Sequence, residues 1–168
     1  LKKLKLFCSK NNIGKKMKIG AFDLEKDGIY IIAELSANHN GKLQNALNSI
    51  KAAKEIGADC IKLQTYTADT ITLDCKKEDF MINHGTLWDG RYLHDLYREA
   101  FTPWEWHKKL FEYARKIEID IFSSPFDKTA VDFLEQFNPS AYKIASFEIT
   151  DYELIRYTAS KGKPIIIS

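Results

Sequence analysis

An α/β fold of the (β/α)8 TIM-barrel type, truncated after its fifth strand, is what the 168-residue sequence predicts. Three observations carry this. Short apolar runs beginning near Ile29, Asp59, Ile119, Ala141 and Pro164 alternate with helical periodicities, the pattern of a parallel sheet with crossover helices. The loop after the first run, Ser36-Ala37-Asn38-His39-Asn40-Gly41, has one glycine, so it lacks the glycine-rich phosphate turn of a doubly wound nucleotide fold. Each strand also ends in polar residues, where barrel enzymes keep their chemistry. A complete barrel takes about 250 residues, so the chain is expected to be the first part of a longer enzyme.

The elements follow in order. Ile29 to Leu35 is bounded by Asp27-Gly28 and the polar loop, which marks a buried strand. Leu43, Ala46, Leu47, Ile50 and Ala53 recur at helical spacing and Gly57 supplies the stop. Asp59 to Gln64 is the second strand. A long connection, Thr65 to Thr102, contains Leu87-Trp88-Asp89-Gly90 and a possible helix from Tyr92 to Ala100; connections of this length are usually functional. Thr102-Pro103-Trp104-Glu105 reads as a helix opening with Thr102 as N-cap, and that helix is expected to run to about Glu118. Strands at Ile119 to Ser124, Ala141 to Ser146 and Pro164 to Ser168 alternate with helices at Lys128 to Phe137 and Asp151 to Lys161.

A net charge of +2 is far from the dense positive field of a nucleic-acid binder. No run approaches the roughly 18 apolar residues of a membrane span, so neither nucleic acid nor membrane is an expected partner and a cytoplasmic address is expected. Residues 1–16, with six lysines, read as a basic leader outside the fold, whose domain is residues 17–168. Cys8, Cys60 and Cys75 lack CxxC spacing and are expected to be reduced thiols.

The strand ends contribute Glu34, Lys62, Gln64, Ser123, Ser124, Lys143, Ser146 and Ser168. Residues two apart share a strand face, so Lys62 and Gln64 point together. A carboxylate, two lysines and several hydroxyls on one rim suit an anionic substrate, with Glu34 as a general acid or base. The structural alternative is a Glu34–Lys62 ion pair with the serines capping helices. His39 is expected near the site and His107 on the surface; the four histidines show no metal-ligand spacing.

Ile32 to Gly41, Ile61 to Tyr66, Phe122 to Asp127 and Tyr142 to Ser146 together strongly resemble the sialic acid synthase family over Met17 to Ser168. LWDG at Leu87 to Gly90, TPWEWH at Thr102 to His107 and SFE at Ser146 to Glu148 are similar to its pseudaminate-forming subgroup rather than to those forming N-acetylneuraminate or legionaminate. The resemblance implies condensation of phosphoenolpyruvate with an open-chain 2,4-diacetamido-2,4,6-trideoxy hexose of the altrose type, releasing phosphate and giving a nonulosonic acid. It implies roles for Glu34 at the sugar and in proton transfer, and for Lys62 and Gln64 lining the site, Lys62 near the reacting end. Lys143, Ser146 and Ser168, with Ser124 beside them, would hold phosphoenolpyruvate. Tyr66, Trp88, Asp89, Phe147 and Glu148 would select the sugar. It further implies a divalent metal (Mn or Mg) acting as Lewis acid, whose ligands lie beyond Ser168, and a homodimer closed by a C-terminal antifreeze-like domain. The 168-residue chain alone is therefore expected to have little activity. Three alternatives stay open: an N-acetylneuraminate or legionaminate synthase, a lysine Schiff base, as in class I aldolases on the same fold, and a noncatalytic remnant.

Overall fold

The computed structural model describes residues 5–6 and 17–168. Its elements, in chain order, are strands β1 (Lys5–Leu6), β2 (Lys18–Ile19), β3 (Phe22–Asp23) and β4 (Ile32–Ser36), helix α1 (Leu43–Glu55), β5 (Cys60–Thr65), short α2 (Ala68–Ile71), α3 (Leu93–Ala100), α4 (Trp104–Lys116), β6 (Asp120–Pro125), α5 (Lys128–Glu135), β7 (Tyr142–Ile144), α6 (Tyr152–Ser160) and β8 (Ile165–Ile167). Strands β4, β5, β6, β7 and β8 form a parallel sheet in which spatial order equals chain order. Among the described residues no strand doubles back to the other side of β4, as it would in a doubly wound sheet.

Strand side chains alternate between two faces, and the alternation separates two kinds of residue. Leu35, Ile61, Leu63, Ile121, Tyr142, Ile144 and Ile165 join Ala46, Ile50, Leu110, Phe111, Val131, Leu134 and Leu154 of the helices in one core. Each large side chain fully buried there contributes about 1.5–3 kcal/mol. The helices therefore lie on one face. On the opposite face, at the N-terminal ends of the strands, Cys60, Phe122 and Ile166 pack with Ile19 and Tyr30 in a second, smaller cluster. The β2–β3 hairpin supplies this plug. Gly20 turns it at φ +57, and a Cβ there would meet a carboxylate oxygen of Asp120 at 2.6 Å, so the position requires glycine.

Several expectations need correction. The first strand begins at Ile32 rather than Ile29, because Ile29 and Ile31 are exposed and the Ile31 N–H bonds the Asp59 carboxylate instead of a ladder partner. Thr102 does not cap α4. Pro103 occupies that position without a side-chain cap, while the Thr102 hydroxyl bonds His39 Nε2 at 3.3 Å and lies 3.5 Å from the Ser36 carbonyl. The fourth strand stops at Ile144, and Ser146–Glu148 form a 3-10 turn. Of the leader, only Lys5–Leu6 is described, paired antiparallel with Ile166 and Ile167; the rest of that expectation, including Cys8, lies outside the described residues. Cys60 and Cys75 are free thiols, and burial pushes the Cys60 thiol well up. Among the described residues no helix is long and apolar enough to cross a membrane.

His107 is the largest correction, for it is fully buried. Its Nδ1 is 3.3 Å from the Pro103 carbonyl, which only accepts, so Nδ1 carries the proton. Nε2 then accepts from the Thr65 hydroxyl at 2.9 Å, and Thr65 Oγ1 accepts from Ser123 Oγ at 2.7 Å. This chain of hydroxyls ties β5 and β6 to α4 on the helix side. Burial lowers the His107 pKa to about 4. The unfolded chain thus takes up a proton near pH 6.5 that the folded chain refuses until about pH 4. Stability is full above pH 6.5 and falls by on the order of 3 kcal/mol as pH drops through that window. Urea denaturation at pH 7 and pH 4.5 is expected to show this acid loss, and a His107→Gln variant, less stable at pH 7, to show a smaller one. An equal loss in both proteins would contradict the assignment.

Candidate active site

With the odd-numbered residues of β4 and β5 committed to the helices, Glu34, Lys62 and Gln64 point to the open face. The register sets Glu34 opposite Lys62 and Gln64 opposite Ser124. Lys62 Nζ lies 2.8 Å from Glu34 Oε2, the lysine side chain being buried and the carboxylate half-exposed. Ser36 Oγ donates to the same oxygen at 3.3 Å. The register shifts between Glu34 and Ser36, and Ser36 has φ 49, a conformation that non-glycine residues adopt at a cost and that recurs at functional sites. That bulge ends β4 and aims the following loop over the sheet.

On β7, Lys143 Nζ bonds the Ile144 carbonyl at 2.9 Å and Ser168 Oγ at 2.5 Å. Burial, then the charge of Lys62, lowers the Lys143 pKa, with Glu34 and Glu148 opposing. Glu148 is half-buried, its Oε2 has no hydrogen-bond partner, and burial raises its pKa. Ser124 is buried beside Gln64. Glu34, Lys62, Gln64, Ser124, Lys143 and Ser168 are thus gathered on one face, as expected from their spacing.

The ion-pair alternative is half correct. The Glu34–Lys62 pair forms, but among the described residues no serine caps a helix; Asp127 and Asp151 make the side-chain caps of α5 and α6. Ser123 is turned away, into the Thr65–His107 chain. Ser146 is exposed on its 3-10 turn and Phe147 is 91% exposed, so neither is drawn into the cluster.

Beside the polar row lies a cleft of about 620 Å³ that shares Gln64 with it and has Tyr66 in its wall. The β4–α1 loop, Trp88 and four residues of α3, among them Leu96 and Tyr97, complete its wall. Tyr66 is buried edge-on against Tyr97 (ring centroids 5.7 Å) and Phe126 (5.4 Å), and burial raises its pKa to about 12. His39 lines the cleft as expected, yet its ring is buried. Its Nδ1 accepts the Gly41 N–H at 3.2 Å, so Nε2 donates to Thr102; the residue pins the loop and is spent on that task. Leu96 and Tyr97 escaped the sequence reading because the α3 periodicity marks a helix without saying which face meets the sheet.

Among the described residues no three His, Cys, Asp or Glu side chains come together as metal ligands. Glu34 is committed to Lys62. The described residues do not fit a divalent cation.

Comparison with known proteins places this arrangement. The NeuB family pattern matches residues 49–168, which includes the polar strand ends of β5, β6 and β7. The chain belongs to the NeuB family. This NeuB chain is 56% identical over 152 residues to pseudaminic acid synthase of Campylobacter jejuni, covering 90% of the chain and 44% of that protein. It is 37% identical over 140 residues to N,N'-diacetyllegionaminic acid synthase of Legionella pneumophila, covering 83% and 39%. The crystal structure of spore coat polysaccharide biosynthesis protein SpsE from Bacillus subtilis superposes with a TM-score of 0.69 at 32% identity, covering 91% of this chain and 39% of that one. The NeuB chain spans less than half the length of these relatives.

The coupling of the two lysines is testable. Lys62→Met removes a like charge and leaves Glu34 and Glu148 facing Lys143, so the midpoint of the pH profile for Lys143 acylation, followed by mass spectrometry, is expected to move upward. A downward or absent shift would show that Lys62 does not act on Lys143.

Proposed function

We propose that this chain is part of a pseudaminic acid synthase. It would condense phosphoenolpyruvate with the open-chain 2,4-diacetamido-2,4,6-trideoxy altrose and release phosphate. The observation that carries the reading is the pair Lys62 and Lys143 on one open sheet face with Glu34 between the strand ends and the loop. Two ammonium groups in a partly desolvated site favour a multiply charged enol phosphate carboxylate over a neutral ligand. The higher identity to the pseudaminic than to the legionaminic acid synthase supports the choice of sugar.

In the proposed reaction C3 of phosphoenolpyruvate bonds to the aldehyde carbon and the aldehyde oxygen gains a proton. Water then adds at C2, the C2–O bond to phosphate breaks, and a 2-keto acid and inorganic phosphate leave. Lys143, with Ser168 and Ser124, holds the anion; Ser146, exposed on the adjoining turn, would have to close inward to join them. Lys62 supplies positive charge at the reacting end. Glu34 accepts a proton from the incoming water, and Gln64 orients the aldehyde. The sheet is read as five strands of an eight-stranded barrel, whose remaining strands, metal ligands for Mn or Mg, dimer contacts and C-terminal cover lie outside the described residues. When bound, the metal would polarise the aldehyde.

Phosphate release from phosphoenolpyruvate with manganese tests this. The chain extended to the length of its relatives is expected to release phosphate with the altrose substrate and not with N-acetylmannosamine, while the 168-residue chain releases little. Lys143→Ala is expected to raise the KM for phosphoenolpyruvate by at least about tenfold. Release with N-acetylmannosamine alone would overturn the choice of sugar, and borohydride trapping of a pyruvate adduct on Lys62 or Lys143 would favour a Schiff-base enzyme instead.

A further inference from the structure

Building on that reading, we propose that the cleft beside Gln64 takes the distal half of the sugar, its C4 acetamido group and C6 methyl, against a wall of Tyr66, Trp88, Leu96 and Tyr97. Asp89 is a positioning residue that acts through Trp88.

Charge divides the two substrates. The described residues lining the cleft include no lysine or arginine, and their one ionisable acid, Glu99, is paired with Arg91 at 2.5 Å. Such a cleft offers nothing to a phosphate and suits an uncharged ligand, whereas Lys62 and Lys143 lie on the adjoining row. The two regions meet at Gln64, where the reacting carbons of the two substrates must come together. A cleft of about 620 Å³ is also of small-molecule size.

The wall explains which end of the sugar enters. Aromatic and leucine surfaces favour methyl groups, while the amides of Asn38 and Gln64, both in the lining, provide donors and acceptors for acetamide or hydroxyl. A sugar carrying a C6 hydroxyl would bring a polar group against the apolar wall and lose its water there without a partner.

Asp89 lies outside the lining. Its carboxylate accepts from the Thr86 N–H at 2.9 Å, the Thr86 hydroxyl at 3.0 Å and the Gly85 N–H at 3.0 Å, and the Trp88 N–H bonds Thr86 Oγ1 at 3.2 Å. These bonds close the turn that presents Trp88 to the cleft. They also lower the Asp89 pKa, the Thr86 backbone bond foremost.

Kinetics on the chain extended to its relatives' length test the proposal. Trp88 is 48% exposed in a loop, so Trp88→Ala is expected to fold. It should raise the KM for the diacetamido sugar by about tenfold and leave the KM for phosphoenolpyruvate within about twofold. Asp89→Ala should do the same, and Trp88→Ala/Asp89→Ala should be no worse than Trp88→Ala, because Asp89 acts only through the ring. Trp88→Phe should recover most of the sugar affinity. An unchanged sugar KM, an equal rise for phosphoenolpyruvate, or additive effects in the double variant would each overturn it. If the wild type turns over N-acetylmannosamine instead, the proposed function falls, and the cleft assignment stands or falls on whether Trp88→Ala raises that sugar's KM alone. If it turns over neither, saturation-transfer NMR on the sugar methyls decides the cleft: signal lost in Trp88→Ala supports it, and equal or no signal in both proteins overturns it.

Discussion

Alternation of side chains along parallel strands governs everything above it. Once Leu35, Ile61, Leu63, Ile121 and Ile144 are committed to the helix layer, their neighbours have no choice of face. Glu34, Lys62, Gln64, Ser124 and Lys143 are thereby set in adjoining rows by the register. A slip of one residue in β5 would bury Lys62 among the helices and expose Leu63, so hydrophobic burial enforces the geometry of the polar groups. The N-terminal plug built from the β2–β3 hairpin, Tyr30 and Phe122 closes the open face at one end and leaves the polar groups at the other.

Two kinds of buried polar group behave differently here. The Ser123–Thr65–His107 chain is satisfied internally: each donor has an acceptor, and the histidine stays neutral. It fixes two strands to a helix and has nothing left to offer a ligand. Lys143 and Glu148 are less complete. The charge of Lys62 opposes that of Lys143, and Glu148 keeps an unpartnered oxygen. Groups arranged against their own stability in this way are what a binding site for charged substrate requires.

Much of this was legible in the sequence, for a physical reason. Strands and helices announce themselves by period, so the alternation of elements and the polar strand ends could be read from Glu34, Lys62, Gln64 and Lys143 directly. What could not be read depends on contacts between distant segments. Thr102 has the residue pattern of an N-cap, yet its hydroxyl accepts from His39 and faces the Ser36 carbonyl. His107 is polar in a helix, and only the placement of Thr65 and Phe133 around it makes it a core residue. Ser123 and Ser124 are neighbours in sequence with opposite fates, decided by which of them the pleat turns to the helices. The hairpin at Lys18 to Asp23 was missed because its strands are two residues each, too short to show a period.

The neutrality of the cleft and the charge of the neighbouring row follow from the same folding constraint. Lysine is tolerated on the open face because Glu34 and solvent reach it. The cleft is walled by a buried tyrosine and by α3, where a cation would be stranded without a partner. The result is an apolar wall beside a cationic row. A reaction joining an anion to a neutral sugar needs that division, with the two ligands meeting at a residue common to both surfaces. Gln64 is suited to that boundary: it is uncharged, its amide both donates and accepts, and it shares its strand face with Lys62 while lining the cleft.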